Sequence, residues 1–119
     1  MINDMKNYTK FMYAREKFFV ARSSLMLPRK EYQISLIVSA IENCESGLSS
    51  IKREDLDAGA RKSVQKLEKL IDRTGLDDPY NDGLYIIKAK KLNKSRPQKD
   101  EFCRLIDELA SWFDAKSRE

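Results

Sequence analysis

The stretch FCRLIDELASWF, residues 102–113, decides the fold class of this chain. Large apolar side chains recur there at spacings of three and four residues, and polar side chains fill most positions between them. The apolar set is Phe102, Leu105, Ile106, Leu109, Trp112 and Phe113. This period indicates an α-helix with one buried face, because 3.6 residues complete each turn. Pro97 suits the start of this helix, and Ser95 is placed to cap it.

The same apolar period marks three further long segments, at residues 5–26, 29–46 and 52–74. Pro28 separates the first two, because its ring disfavours the α conformation in the preceding residue. The middle segment is apolar on nearly all sides, so we expect it to be the most buried helix. Its β-branched residues leave a strand at 32–38 as the competing interpretation, but the length of the pattern favours a helix.

Turn-forming residues predict where these helices end. Gly47 is a plausible stop for the second helix, and Gly75 for the third. Ser49 or Ser50 is placed to cap the third helix. The loop at 76–83 is the richest in turn formers.

A shorter helix is predicted at residues 84–93, capped by Asn81 or Asp82. A brief strand at 84–87 would find no partner strand elsewhere in the chain. The whole of residues 1–119 is therefore predicted to form one all-α domain, an antiparallel helical bundle of four long helices and one short helix.

Composition excludes several kinds of chemistry. The chain has no histidine and only two cysteines, Cys44 and Cys103, so it cannot form a Ser-His or Cys-His pair or a structural zinc site. The loop at 76–83 contains Asp77, Asp78 and Asp82, but counting from Asp78 the twelfth position is Ala89, where a calcium loop requires glutamate. We therefore expect no catalytic residue, metal or cofactor, and a protein that is not an enzyme.

Two observations bear on localisation. The longest apolar-rich run, residues 34–41, is far too short to span a bilayer, and the N-terminus shows no apolar signal region. Both cysteines lie in apolar-patterned stretches, which is typical of reduced, buried thiols. These features predict a cytoplasmic protein without membrane contact.

Positive charge is concentrated at residues 61–99, which carry eleven basic and five acidic residues within a chain of net charge +4. Two groups account for most of it. The lysine stripe on the third helix is Lys62, Lys66, Lys69 and Arg73, which share one face by their spacing. The basic segment, residues 88–99, contains no acid, and its cations are Lys88, Lys90, Lys91, Lys94, Arg96 and Lys99. They are candidates for binding DNA, RNA or an acidic protein, although a solvated linker remains the alternative.

The first helix carries a second candidate surface. Arg15 and Arg22 interrupt an otherwise apolar seam, beside Tyr13 and Phe19. Aromatic residues and arginine are enriched at protein interfaces, so these four residues are candidates for a protein contact or for self-association. If the arginines are instead partly buried, each needs a carboxylate, from the second helix (Glu42 or Glu45) or from the last helix.

Taken together, these patterns predict a small helical protein that acts by binding. We expect an adaptor, an inhibitor or an assembly subunit for a protein or nucleoprotein partner. The alternative is direct, sequence-nonspecific contact with a nucleic-acid backbone through the basic 62–99 surface.

Overall fold

The computed structural model describes the backbone of residues 2–26 and 33–119, and the side chains of residues 10–26 and 33–119. All regular elements within these ranges are helices, so the predicted all-α class is confirmed. The α-helices are α1 (Ile2–Leu25), α2 (Gln33–Ser49), α3 (Ala58–Ile71), α4 (Leu84–Lys94) and α5 (Arg96–Ser117), with a short 3-10 turn (Arg53–Asp55) before α3. The predicted break at Pro28 lies outside the described residues.

The helices form an antiparallel bundle around α1 and α5. Helix α1 packs against α2 on one side and α5 on the other, α3 packs on α5, and α4 lies against α2 and α5. The direction of α5 follows from its ion pairs with α1, since Arg15 meets Asp114 whereas Arg22, further along α1, meets Asp107. The predicted bundle of four long helices and one short one, α4, is confirmed.

Aromatic side chains join α1 to α5 in the core. Phe18 and Phe113 are fully buried, with ring centroids 5.2 Å apart. Phe11 packs edge-on against Trp112 at 5.4 Å and also contacts Phe113. Such aromatic pairs stabilise by about 0.5–1.5 kcal/mol beyond the area that they bury. The periodic apolar residues of both helices therefore serve the core, as their spacing predicts.

Gly47 is not the stop that the sequence predicts. It lies inside α2, which continues to Ser49, and it is buried against α1. A Cβ atom built at this position would stand 3.1 Å from Cε2 of Phe18 and 3.2 Å from Cβ of Lys17. The glycine is therefore there because two helices approach closely, and not because the chain needs a left-handed residue.

The start of α3 also differs from the prediction, which extended it back to residue 52 with a serine cap. Asp57 is the N-cap, and its Oδ1 accepts a hydrogen bond of 2.8 Å from the backbone N–H of Ala60. Its Oδ2 accepts a second one, of 3.0 Å, from Nε1 of Trp112 on α5. Asp57 therefore both caps α3 and joins it to α5, whereas the hydroxyls of Ser49 and Ser50 donate to carbonyl groups of α2.

Residues 84–87 belong to helix α4 rather than to a strand, and the predicted cap by Asn81 or Asp82 is wrong. Gly83 is the N-cap, with a φ of 101° that a non-glycine residue rarely adopts. The preceding loop is fixed by Asp78, whose two carboxylate oxygens accept hydrogen bonds from the backbone N–H groups of Asp82 and Gly83, at 2.8 and 3.0 Å. At α5 the predicted Ser95 cap is confirmed, since its Oγ accepts from the N–H of Gln98.

Candidate polyanion-binding surface

The basic segment is helical rather than an extended linker. Residues 88–94 belong to α4, and α5 begins at Arg96. Helix α4 buries Ala89 and Leu92, which leaves Lys90, Lys91 and Lys94 exposed on its other faces. Because two helices hold these side chains at fixed spacings, their charges form a surface with a defined shape.

Nine of the ten cations in the lysine stripe and the basic segment form no ion pair with any carboxylate that the structure describes. Lys99 donates to the side-chain oxygen of Asn93 at 3.1 Å, which leaves its charge uncompensated. Burial and the neighbouring charge of Lys91 lower the pKa of Lys88, against the opposing effect of Asp72. The cations of α4 therefore repel one another, with little carboxylate charge nearby to offset it.

Arg73 is the exception among the ten, because it is part of a polar cluster that joins three elements. Its Nη1 donates to Oε2 of Glu45 on α2 at 2.7 Å, and its guanidinium lies 3.9 Å from the ring centroid of Tyr85 on α4. The Tyr85 hydroxyl donates to the other Glu45 oxygen at 2.6 Å, and that bond, together with burial, raises the pKa of Tyr85. Arg73 thus stabilises the fold rather than presenting a free charge.

The lysine stripe and the basic segment approach each other at the end of α3. Asp72, directly after α3, accepts hydrogen bonds from the backbone and hydroxyl of Thr74, which hold the pKa of this carboxyl below its usual range. Lys88 of α4 lies close enough to lower that pKa further. The C-terminal end of α3 is therefore adjacent to the first half of α4.

The three stripe lysines line a groove of about 920 Å³, which we call the α3 groove. One wall is α3, with Lys62, Lys66 and Lys69, and the other is the C-terminal end of α2 with the 3-10 turn. The apolar part of the lining comes from Leu48 and Ile71. Sequence spacing places the lysines on one face of a helix but gives no sign that this face borders a concave surface.

Three of the four candidate interface residues on α1 form a stack within the molecule. The guanidinium groups of Arg15 and Arg22 lie 4.6 and 4.8 Å from the ring centroid of Phe19. Nε of Arg15 donates to Oδ1 of Asp114 at 2.7 Å, and Arg22 contacts Asp107 at 3.4 Å. The sequence leaves α2 and α5 as possible sources of these carboxylates, and the partners of both arginines come from α5.

Tyr13 is placed differently from the other three. Its side chain is 47% exposed, and the Lys17 ammonium lies 5.3 Å from its ring centroid. Val20, two helical turns further along, is 48% exposed. Tyr13 is thus the candidate on α1 that stays available for an external contact.

The cysteines and carboxylates supply little for chemistry. Cys44 is fully buried, and that burial strongly raises the pKa of its thiol; Cys103 is half-buried, with its pKa also raised by burial. Across the described residues, no three Cys, Asp or Glu side chains come together in a way that could hold a metal ion. Nor does any described helix combine the length and apolar character that a bilayer span requires.

Comparison of the whole chain with protein-family models, with curated proteins and with solved structures finds no match to any of them.

Proposed function

We propose that this protein is a non-enzymatic binding module, an adaptor or assembly subunit whose basic surface contacts the phosphate backbone of a nucleic-acid or nucleoprotein partner. The observation that supports this proposal is the set of nine cations that form no ion pair with a described carboxylate. An anionic backbone would relieve their mutual repulsion, and its condensed counterions would be released into solution.

The kind of contact follows from the residue types. Of the nine cations that lack a partner among the described carboxylates, eight are lysines and one is Arg96. Arginine is the side chain that most often recognises guanine, through two hydrogen bonds to the edge of the base. Lysine instead contacts phosphate as a point charge. We therefore expect binding that depends on charge and shape and is insensitive to base sequence. The free thiols fit a reducing compartment such as the cytoplasm.

The test uses fluorescence anisotropy with labelled 20-nucleotide DNA and RNA, single-stranded and duplex, at low salt. The variant changes Lys90, Lys91, Lys94 and Arg96 to glutamine. Affinity should fall at least tenfold, because these exposed side chains form the centre of the proposed contact. If about four phosphates are neutralised, a fourfold rise in salt should lower the affinity of the unmodified protein by on the order of 10²-fold.

A matched control removes the same amount of charge elsewhere. It changes four surface lysines outside the proposed contact to glutamine, namely Lys10, Lys17, Lys52 and Lys116. We expect this control to retain most of the affinity. The proposal is overturned if the unmodified protein binds none of the four probes at low salt, or if both quadruple variants lose affinity equally.

A further inference from the structure

We propose that the α3 groove is a second site, which binds an acidic amphipathic helix of a protein partner. This goes beyond backbone contact with nucleic acid, because it assigns a peptide ligand to three of the nine cations, the stripe lysines, and to the concave surface that they line.

Two of the three carboxylates of the groove are paired with arginine within the molecule. Glu45 is paired with Arg73 at 2.7 Å, and Glu68 is paired with Arg53 of the 3-10 turn. Asp72 accepts two hydrogen bonds from its own turn. The groove is lined by five cations and three carboxylates, so it is net positive, and its cations without an ion pair among the described residues are the three lysines on the α3 wall.

The spacing of those lysines suits a helical ligand. Lys62, Lys66 and Lys69 are separated by four and three residues, so they span about 10 Å along the axis of α3. Carboxylates at the same i, i+4, i+7 spacing on a second helix, lying alongside, would meet all three ammonium groups. About two to three turns of partner helix cover this wall.

The remaining lining distinguishes a peptide from a nucleic-acid strand. No aromatic side chain lines the groove among the described residues, so unpaired bases would find no stacking surface there. The half-buried side chain of Leu48 instead offers an aliphatic contact to the apolar residues that an amphipathic helix presents beside its charged face, whereas Ile71 belongs to the core. Apolar contact and charge complementarity thus favour the same occupant.

The experiment uses a designed peptide of 18 residues as the probe, with leucines every third and fourth position and glutamates on both flanks. Binding is followed by ¹⁵N–¹H correlation spectra of the full chain and by anisotropy of the labelled peptide. We expect shifted amide signals at Leu48 and along Lys62–Ile71. Changing Lys62, Lys66 and Lys69 to glutamine should weaken binding at least tenfold, whereas the same change at Lys10, Lys17 and Lys116 should leave it within about twofold.

A second peptide tests whether the arrangement of the leucines matters. A peptide of identical composition, with its leucines distributed around the helix, should bind at least tenfold more weakly than the probe. The proposal is overturned if the two peptides bind equally, if neither binds, or if the shifted signals lie away from the groove. Nucleic-acid binding that persists in that case leaves the proposed function intact, and peptide binding without nucleic-acid binding removes only the proposed function.

Discussion

The two charged regions of this protein treat their cations in opposite ways. Between α1 and α5, Arg15 and Arg22 each have a carboxylate partner and enclose Phe19 between them. On α4, Lys90 and Lys94 are exposed and have no carboxylate within ion-pair distance among the described side chains. Both regions look similarly basic and amphipathic in the sequence, yet the first uses its charges for folding and the second does not.

This difference indicates that a cation is a candidate for external binding only when it has no ion-pair or stacking partner within the fold. Arginine suits the α1–α5 contact because its planar group stacks on a ring and pairs with a carboxylate at the same time. Lysine on α4 keeps a strongly hydrated charge at the end of a flexible stem. Three changes, from the largest expected loss of stability to the smallest, test this division.

Changing Phe19 to alanine should produce the largest loss. We expect the free energy of unfolding to fall by about 2 kcal/mol, below the roughly 3–5 kcal/mol typical of a fully buried phenylalanine, because the ring is only half-buried. Urea denaturation checks this value. The matched control is Tyr13→Ala on the exposed side of α1, which should change stability by no more than about 0.5 kcal/mol. Equal losses in the two variants would mean that the stack does not stabilise the fold.

Changing Asp57 to alanine should have an intermediate effect. It removes the cap of α3 and the hydrogen bond from Trp112, and loss of an N-cap alone costs about 1 kcal/mol. The Asp57→Asn variant should retain most of this stability, because asparagine also caps helices well. Thermal unfolding of both variants near neutral pH checks the order. Asparagine as damaging as alanine would show that the charge, and not the cap, is what matters.

The same residue gives a pH dependence with a definite sign. Hydrogen bonds from Ala60 and Trp112 lower the pKa of Asp57, so its contribution to stability is present above the usual pKa of 3.8. That contribution is lost as the pH falls through the lower pKa of the folded state. Between pH 7 and about pH 3, the unmodified protein should therefore lose more stability than Asp57→Asn, as measured by urea denaturation at each pH.

Changing Lys90, Lys91 and Lys94 together to glutamine should have the smallest effect. Stability should stay the same or rise by up to about 0.5 kcal/mol, because the repulsion between Lys90 and Lys94, four residues apart, is removed. Thermal unfolding at low salt is the measurement. If the free energy of unfolding fell by more than about 1 kcal/mol, these lysines would stabilise the fold as the arginines of α1 do, and the two regions would not differ in this respect.

The sequence predicts the helices of this fold well and their contacts poorly. Repeated apolar spacing such as that of residues 102–113 predicts a helix because the period is a local property of the chain. The partner of a charged residue is not local. Glu45 is a candidate partner for the arginines of α1 by sequence, but it pairs with Arg73. The arginines of α1 pair instead with two carboxylates of α5.

The candidate sites divide along the same line. The exposure of Lys90 and Lys91 could be predicted, because both positions fall outside the apolar period of α4. The α3 groove could not, since its shape depends on where the end of α2 lies relative to α3. The sequence does not predict Asp57 as the cap, because a 3-10 turn (Arg53–Asp55) follows the serines and α3 begins only at Ala58.

The buried position of Gly47 has a consequence for relatives of this protein. Alanine there would improve the intrinsic helix propensity of α2 by about 1 kcal/mol, so an isolated α2 peptide should favour the substitution. In the folded chain the new methyl group would press on the ring of Phe18, which is fully buried and packs against Phe113. Sequences that share this packing should therefore keep glycine at position 47 and accept a weaker helix, and a larger residue there should be accompanied by a smaller one at position 18.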